Sequence, residues 1–368
     1  MEVRLSSKQL FFMRCAVLTA SVFIMLSALE ISVRVFAKPA DILNRRDASV
    51  GRIYQKNFKG FVWEPEAGRE TYIVTNKLGY VGKDVDLERG EGVVRIAMLG
   101  DSMTAALQVD YVTNFTSRLE DLLNTQTQGS GRTFEVLNYG VGGTGTFLQY
   151  QTYIKNIAPY KPDAVFLIFF TKNDYHDNYA KLNFDLEEYE NQRSKMTSLK
   201  AFLSNNSQLT KLVFRRLQRN KAFLWIINKV GFEEEFREQE TQFLFPHEGQ
   251  REQAQEFYNH TFSIIERLRE KVEGDGAEFL VVILPPGDAY EKLDSWRQDA
   301  KITKLIDFLE KTGIEYLNSA ELLAQAQELY PGKCFTNYCA VGHFNELGHE
   351  VFAGILADVI KEGHASWR

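Results

Sequence analysis

The run Ala164-Val165-Phe166-Leu167-Ile168-Phe169-Phe170 places seven apolar residues in succession with no polar break. Rich in aromatic and β-branched side chains, it reads as a strand buried on both faces. Such a strand needs cover above and below, so it belongs in a largely parallel sheet wrapped by helices. Two further runs are mostly apolar, Val93–Leu99 interrupted by Arg95 and Glu278–Leu284 after its opening Glu278, and Phe134–Leu137 is a shorter candidate. Helical spacing over Phe115–Leu123, Thr146–Ile157 and Ile302–Leu309 separates these runs, and Ile314–Leu317 fits a last short strand. The alternation predicts an α/β fold around a parallel sheet.

In open α/β sheets ligands bind beyond the carboxyl ends of the strands, and polar residues cluster there in this chain. Val93–Leu99 closes at Gly100-Asp101-Ser102, and Phe134–Leu137 leads into Asn138-Tyr139-Gly140-Val141-Gly142-Gly143-Thr144-Gly145. Asn173-Asp174 follows the run 164–170, and His343-Phe344-Asn345 precedes a helix-like segment, Glu350–Leu356. Each piece has a plain structural reading. The glycines suit a flexible turn, Asn-Asp suits a helix cap, and a lone histidine is usually structural.

In the order Ser, Gly, Asn, His, the four pieces together resemble the motif blocks of the SGNH (GDSL-type) hydrolase superfamily. The resemblance spans about 95–363, and Thr75-Asn76-Lys77-Leu78-Gly79-Tyr80 is similar to the lead-in of membrane-anchored bacterial members. It implies a flavodoxin-like three-layer α/β/α fold with about five parallel strands. It also implies that Ser102 is the nucleophile and His343 its general base. Gly143 lies five residues after Asn138, so the backbone N–H groups of Ser102 and Gly143, with the Asn173 amide, would form the oxyanion hole. A serine hydroxyl needs such a base, and a tetrahedral intermediate needs such donors. The implied activity is that of a serine esterase or O-acyl hydrolase or transferase, with acetyl groups on a cell-envelope or exported polysaccharide as one substrate.

Members of that superfamily carry an aspartate two or three residues before the histidine, where this chain has Val341 and Ala340. Three alternatives stay open: a backbone carbonyl orients His343, an acid arrives from elsewhere, or the domain is degenerate and binds a glycan or a partner protein. The glycine usual before the block asparagine is also replaced, by Thr171. Cys334 and Cys339, with His343 and His349, loosely approach zinc-ligand spacing, although the spacing is not a standard one. The reading adopted has no metal and no cofactor, and leaves the two cysteines as a loop disulfide or free thiols.

Residues 10–29 are apolar or small apart from Arg14, which predicts a membrane signal anchor, with a cleaved signal peptide as the rival. The chain then divides into a tail (1–9), a transmembrane anchor (10–37), a linker and lead-in (38–91), and a hydrolase-like domain (92–368) with a helical insertion (178–250). The insertion reads as a helical cap, a lid or a membrane-surface helix. Tyr175, His176 and Asp177 at its start read as an exposed loop, either a solvated turn or a substrate contact. A net charge of −6 leaves no nucleic-acid footprint. The expected partners are an acyl-ester substrate, an acylated carbohydrate included, and a bacterial inner membrane with the domain on its outer side; the sequence is silent on oligomeric state.

Overall fold

The computed structural model describes residues 6–36, 43–47, 49–179, 207–209, 251–287, 292–338 and 342–363. The chain forms two compact units, Met1–Ile42 with Met196–Phe236, and Leu43–Lys195 with Arg237–Arg368.

In the first unit, helix α1 (Ser7–Phe36) has 30 residues and is long and apolar enough to cross a membrane. At about 1.5 Å per residue it exceeds a hydrocarbon core of about 30 Å. Near its end the Glu30 carboxylate accepts hydrogen bonds from the backbone N–H groups of Gln208 and Leu209, both at 2.8 Å, and from the Ser207 hydroxyl at 2.9 Å. Those three are the only inner residues of the insertion 178–250 that are described; beyond Asn178 and Tyr179 at its start, the cap, lid and surface-helix readings lie outside the described residues.

The second unit opens with two antiparallel hairpins, β1 (Asn44–Asp47) with β2 (Gly51–Tyr54), and β3 (Lys59–Glu64) with β4 (Arg69–Val74). The stretch expected to be linker and lead-in is thus folded over most of its middle. The strand β5 (Val93–Gly100) follows, then the one-turn helix α2 (Ser102–Ala105), α3 (Phe115–Gln126), β6 (Thr133–Gly140) and α4 (Thr146–Thr152). After α4 the chain widens into a π turn, Tyr153–Ile157, which splits the helix expected over 146–157. Next come β7 (Ala164–Phe170), α5 (Asp174–Tyr179), α6 (Arg251–Gly274) and β8 (Glu278–Leu284). The chain closes with α7 (Leu293–Arg297), α8 (Ala300–Thr312), β9 (Tyr316–Asn318), α9 (Ser319–Leu329) and α10 (Glu346–Gly363).

The main sheet runs β6-β5-β7-β8-β9 with every pair parallel. This is the flavodoxin-like order, in which the chain reverses direction beside the first strand. All seven residues of β7 are buried, as a central strand covered on both faces requires. On one face Leu119 and Leu123 of α3 join Phe352, Leu356 and Ile360 of α10 against Ile96, Met98 and Phe166. Elsewhere α6 packs against β8 and α4, burying Ile265, Leu268 and Val272.

Tyr175 and His176 do not form an exposed loop. They lie on α5 and are buried, and Tyr175 packs edge-on against Phe169 and Tyr258 while its hydroxyl donates to the Lys301 carbonyl at 2.9 Å. The apolar ring gains more from the gap between β7 and α6 than from solvent, which overrides the local turn signal. Thr171, in the glycine's place, ties the same turn to β8 through its N–H and hydroxyl on the Leu284 carbonyl. Cys334 is disulfide-bonded and Cys15 is free; Cys339 lies outside the described residues.

Candidate active site

Strand β5 ends at the open edge of the reversal point, and Asp101 converts it into a helix start. Its carboxylate accepts the Met103 N–H at 2.8 Å, so Ser102 becomes the first residue of α2. The helix lasts one turn because Ala106 takes a left-handed conformation, φ 55°. From the other end of the chain, His343 precedes α10 and brings Nε2 to 2.8 Å from Ser102 Oγ. The two residues expected to form the nucleophile–base pair are therefore together.

The other ring nitrogen meets an acid that the sequence did not reveal. His343 Nδ1 lies 2.6 Å from Glu66 Oε2, and the His343 backbone N–H donates to Glu66 Oε1 at 2.5 Å. A carboxylate at Nδ1 keeps the proton there and leaves Nε2 free to accept from the serine hydroxyl. Glu66 occupies the turn between β3 and β4, whose Glu64 carboxylate accepts the Glu66 N–H at 3.1 Å. Opposite it, Gly342 adopts φ +94°, and a side chain there would collide with the Glu66 carboxylate.

Burial pulls the His343 pKa down, but the Glu66 hydrogen bond and charge, with the charges of Asp101 and Glu64, raise it above the usual histidine value. Burial also pushes the Glu66 carboxyl up, yet the hydrogen bonds and charge of His343 outweigh this and hold it below the usual range. The two shifts are opposite in sign, as a carboxylate–imidazolium pair requires.

The glycine block lies against the serine. A Cβ on Gly142 would come within 3.5 Å of Ser102 Cβ, and Gly143 has φ +71°. Two residues of β2 hold this loop: Arg52 Nη1 donates to the Gly142 carbonyl at 2.9 Å, and the Gly142 N–H donates to the Tyr54 hydroxyl at 3.0 Å. Burial pushes the Tyr54 phenol up to about 12, so it stays neutral. Among the described residues, the N–H groups of Ser102 and Gly143 have no acceptor. Asn138 anchors the block from behind, donating to the Thr104 carbonyl at 2.6 Å and accepting from the Gly140 N–H at 2.8 Å.

Asn173 lies at the same end of the sheet, but its amide is engaged. Nδ2 donates to Asp101 Oδ2 at 3.1 Å and to Asp177 Oδ2 at 2.8 Å, which occupies both amide hydrogens. In this arrangement Asn173 joins the carboxylate that caps α2 to α5, and no amide hydrogen is left over for an oxyanion.

Glu66, Arg52 and Tyr54 escaped the sequence reading. The available signal was Pro65-Glu66-Ala67-Gly68, a turn pattern with an acid at its tip between two β-rich runs. His349 is a core residue: it is fully buried, stacks on Phe115 and accepts the Phe115 N–H at Nδ1, and burial lowers its pKa to about 3. Among the described residues no group of three His, Cys, Asp or Glu side chains is placed to hold a metal.

A parallel sheet in this order, with Ser102 after β5 and His343 before α10, is the arrangement of an SGNH-type fold. The family model of the GDSL-like lipase/acylhydrolases matches residues 96–353, and the chain belongs to that family. Among solved structures, a lipase/acylhydrolase from Enterococcus faecalis is 17% identical, covering 73% of this chain and 95% of its own with a TM-score of 0.35. A catalytic mutant of the acetylxylan esterase Axe2 from Geobacillus stearothermophilus is 10% identical, covering 74% and 95% with a TM-score of 0.39. A putative acylhydrolase from Bacteroides fragilis is 12% identical, covering 76% and 90% with a TM-score of 0.34. Comparison with curated protein sequences finds no match.

Proposed function

We propose that Ser102 and His343 cleave acyl esters through an acyl-serine intermediate. The observation that carries this reading is the 2.8 Å approach of His343 Nε2 to Ser102 Oγ at the end of β5. His343 takes the hydroxyl proton as Oγ bonds to the ester carbonyl carbon, then gives it to the leaving alkoxide as the ester C–O bond breaks. A second hydroxyl, from water or a sugar, repeats the sequence in reverse and frees Ser102. The N–H groups of Ser102 and Gly143 stabilise the tetrahedral oxyanion. Asn173 secures the Asp101 cap that aims the serine.

Helix α1 holds the protein in a bacterial inner membrane with the hydrolase unit on the outer side, where the Cys334 disulfide is chemically at home. A substrate on that side is an acylated envelope or exported glycan. The degenerate-domain alternative rests on the missing acid before His343, and the carboxylate 2.6 Å from Nδ1 supports the catalytic reading over it.

Full-length protein in detergent, assayed on nitrophenyl esters of increasing chain length and on acetylated oligosaccharides, tests the reading. Ser102→Ala and His343→Ala should each lower kcat by about 10⁶, to the level that the oxyanion donors and binding alone sustain. Appearance of an acylated sugar when free oligosaccharide is added identifies transfer, and acid release alone identifies hydrolysis. Turnover that survives Ser102→Ala refutes the proposal.

A further inference from the structure

The stretch that matches the family begins at residue 96, yet the side chain bound to His343 Nδ1 belongs to residue 66. We propose that Glu66, carried by the β3–β4 hairpin, is the positioning acid of His343, so that the hydrolase site is completed by a segment outside the family domain. This assignment rests on the Ser102–His343 reading above.

Three features make Glu66 more than a passing neighbour. Both of its carboxylate oxygens are used on the same residue, one on the ring nitrogen and one on the backbone N–H, which fixes the imidazole plane as well as its tautomer. The turn that carries it is braced: Gly68 N–H donates to the Glu64 carbonyl at 2.9 Å, and the Glu64 carboxylate holds the Glu66 N–H. The hairpin is fastened to the sheet domain on the β4 side. Thr71 Oγ1 donates to the Leu107 carbonyl at 2.9 Å, the Tyr72 N–H donates to Asp110 at 2.7 Å, and Arg69 pairs with Glu346 at the start of α10 at 2.6 Å.

The role follows from the proton balance. When Ser102 attacks, its proton moves to Nε2 while Nδ1 keeps its own, so the ring becomes an imidazolium facing the Glu66 carboxylate. The carboxylate stays ionised and stabilises that cation; no proton passes to it. The charged groups facing the ring are Glu66 and Glu64 from the hairpin and Asp101 from the β5–α2 turn, with neutral His349 behind it on α10.

The test compares wild type with Glu66→Gln and Glu66→Ala, as full-length proteins in detergent, by kcat, KM and the pH dependence of kcat/KM. Both variants should lose about 10²–10⁴ in kcat with KM little changed. The acid limb of Glu66→Gln should move to lower pH, because the carboxylate that raises the His343 pKa is gone. Titration of the His343 ring by NMR reads the same shift without requiring turnover, and thermal unfolding checks that the variants are folded. A Glu66→Gln enzyme within about threefold of wild type, with an unmoved acid limb and ring titration, overturns the assignment while leaving the hydrolase reading intact. Absence of any Ser102-dependent turnover in wild type overturns that reading, and the role of Glu66 with it.

Discussion

At the scale of single residues, Asn173 parts most clearly from expectation. Its amide is shared between the carboxylates of Asp101 and Asp177, and Asp101 is fully buried. Asn173→Ala should therefore destabilise the protein by about 1–3 kcal/mol, because the buried Asp101 Oδ2 loses its donor while Oδ1 keeps the Met103 N–H, and lower kcat because the Asp101 cap loosens. Thermal unfolding alongside kinetics checks this; a loss of kcat at unchanged stability would instead favour a direct oxyanion contact. Ser102 and His343 were legible because each stands beside an element whose pattern is strong in sequence. Glu66 was not, since a carboxylate 277 residues from its histidine leaves no spacing to read. The missing aspartate announced that something must replace it, but only the packed hairpin says what.

At the scale of elements, the glycines of the second block are a packing requirement. A Cβ on Gly140 would lie 2.6 Å from the Thr104 carbonyl carbon and from Thr104 Cβ, so β6 and α2 touch backbone to backbone. Gly140→Ala should push α2 outward, costing about 1–3 kcal/mol and lowering kcat more than it raises KM; kinetics with an unfolding curve measures both. The strongly apolar elements, β7 throughout and β8 after its opening Glu278, emerge with their sequence-read limits, because burial on both faces leaves no competing signal. Segments governed by tertiary contact were harder. The helix expected over 146–157 breaks into a π turn where Tyr153 is buried and its hydroxyl bonds Asp275 at 2.9 Å. The hairpins of 44–74 carry charged, weakly alternating strands, which read as linker until their partners are known.

At the scale of the whole molecule, the acid and the base of the site arrive from opposite ends of one compact unit, and pH should act on their docking and on catalysis in opposite ways. Glu66 has a lowered pKa, so its contribution to stability is present above the ordinary value of 4.5 and is lost as pH falls through the folded value. His343 has a raised pKa, so its contribution is complete below the ordinary value of 6.5 and is lost as pH rises through the folded value. The pair therefore stabilises the fold most between those two ordinary values. General-base catalysis needs neutral His343, so kcat/KM should rise to a plateau only on the alkaline side of the raised histidine pKa. Stability and rate profiles that peak together would contradict this coupling.

The central claim is that Ser102 is activated by His343, and covalent labelling by a fluorophosphonate tests it most directly. The account predicts one adduct, on Ser102 by peptide mass spectrometry, absent in Ser102→Ala and formed far more slowly in His343→Ala. Failure to label under conditions where a control esterase reacts, or labelling at the same rate without His343, would contradict it.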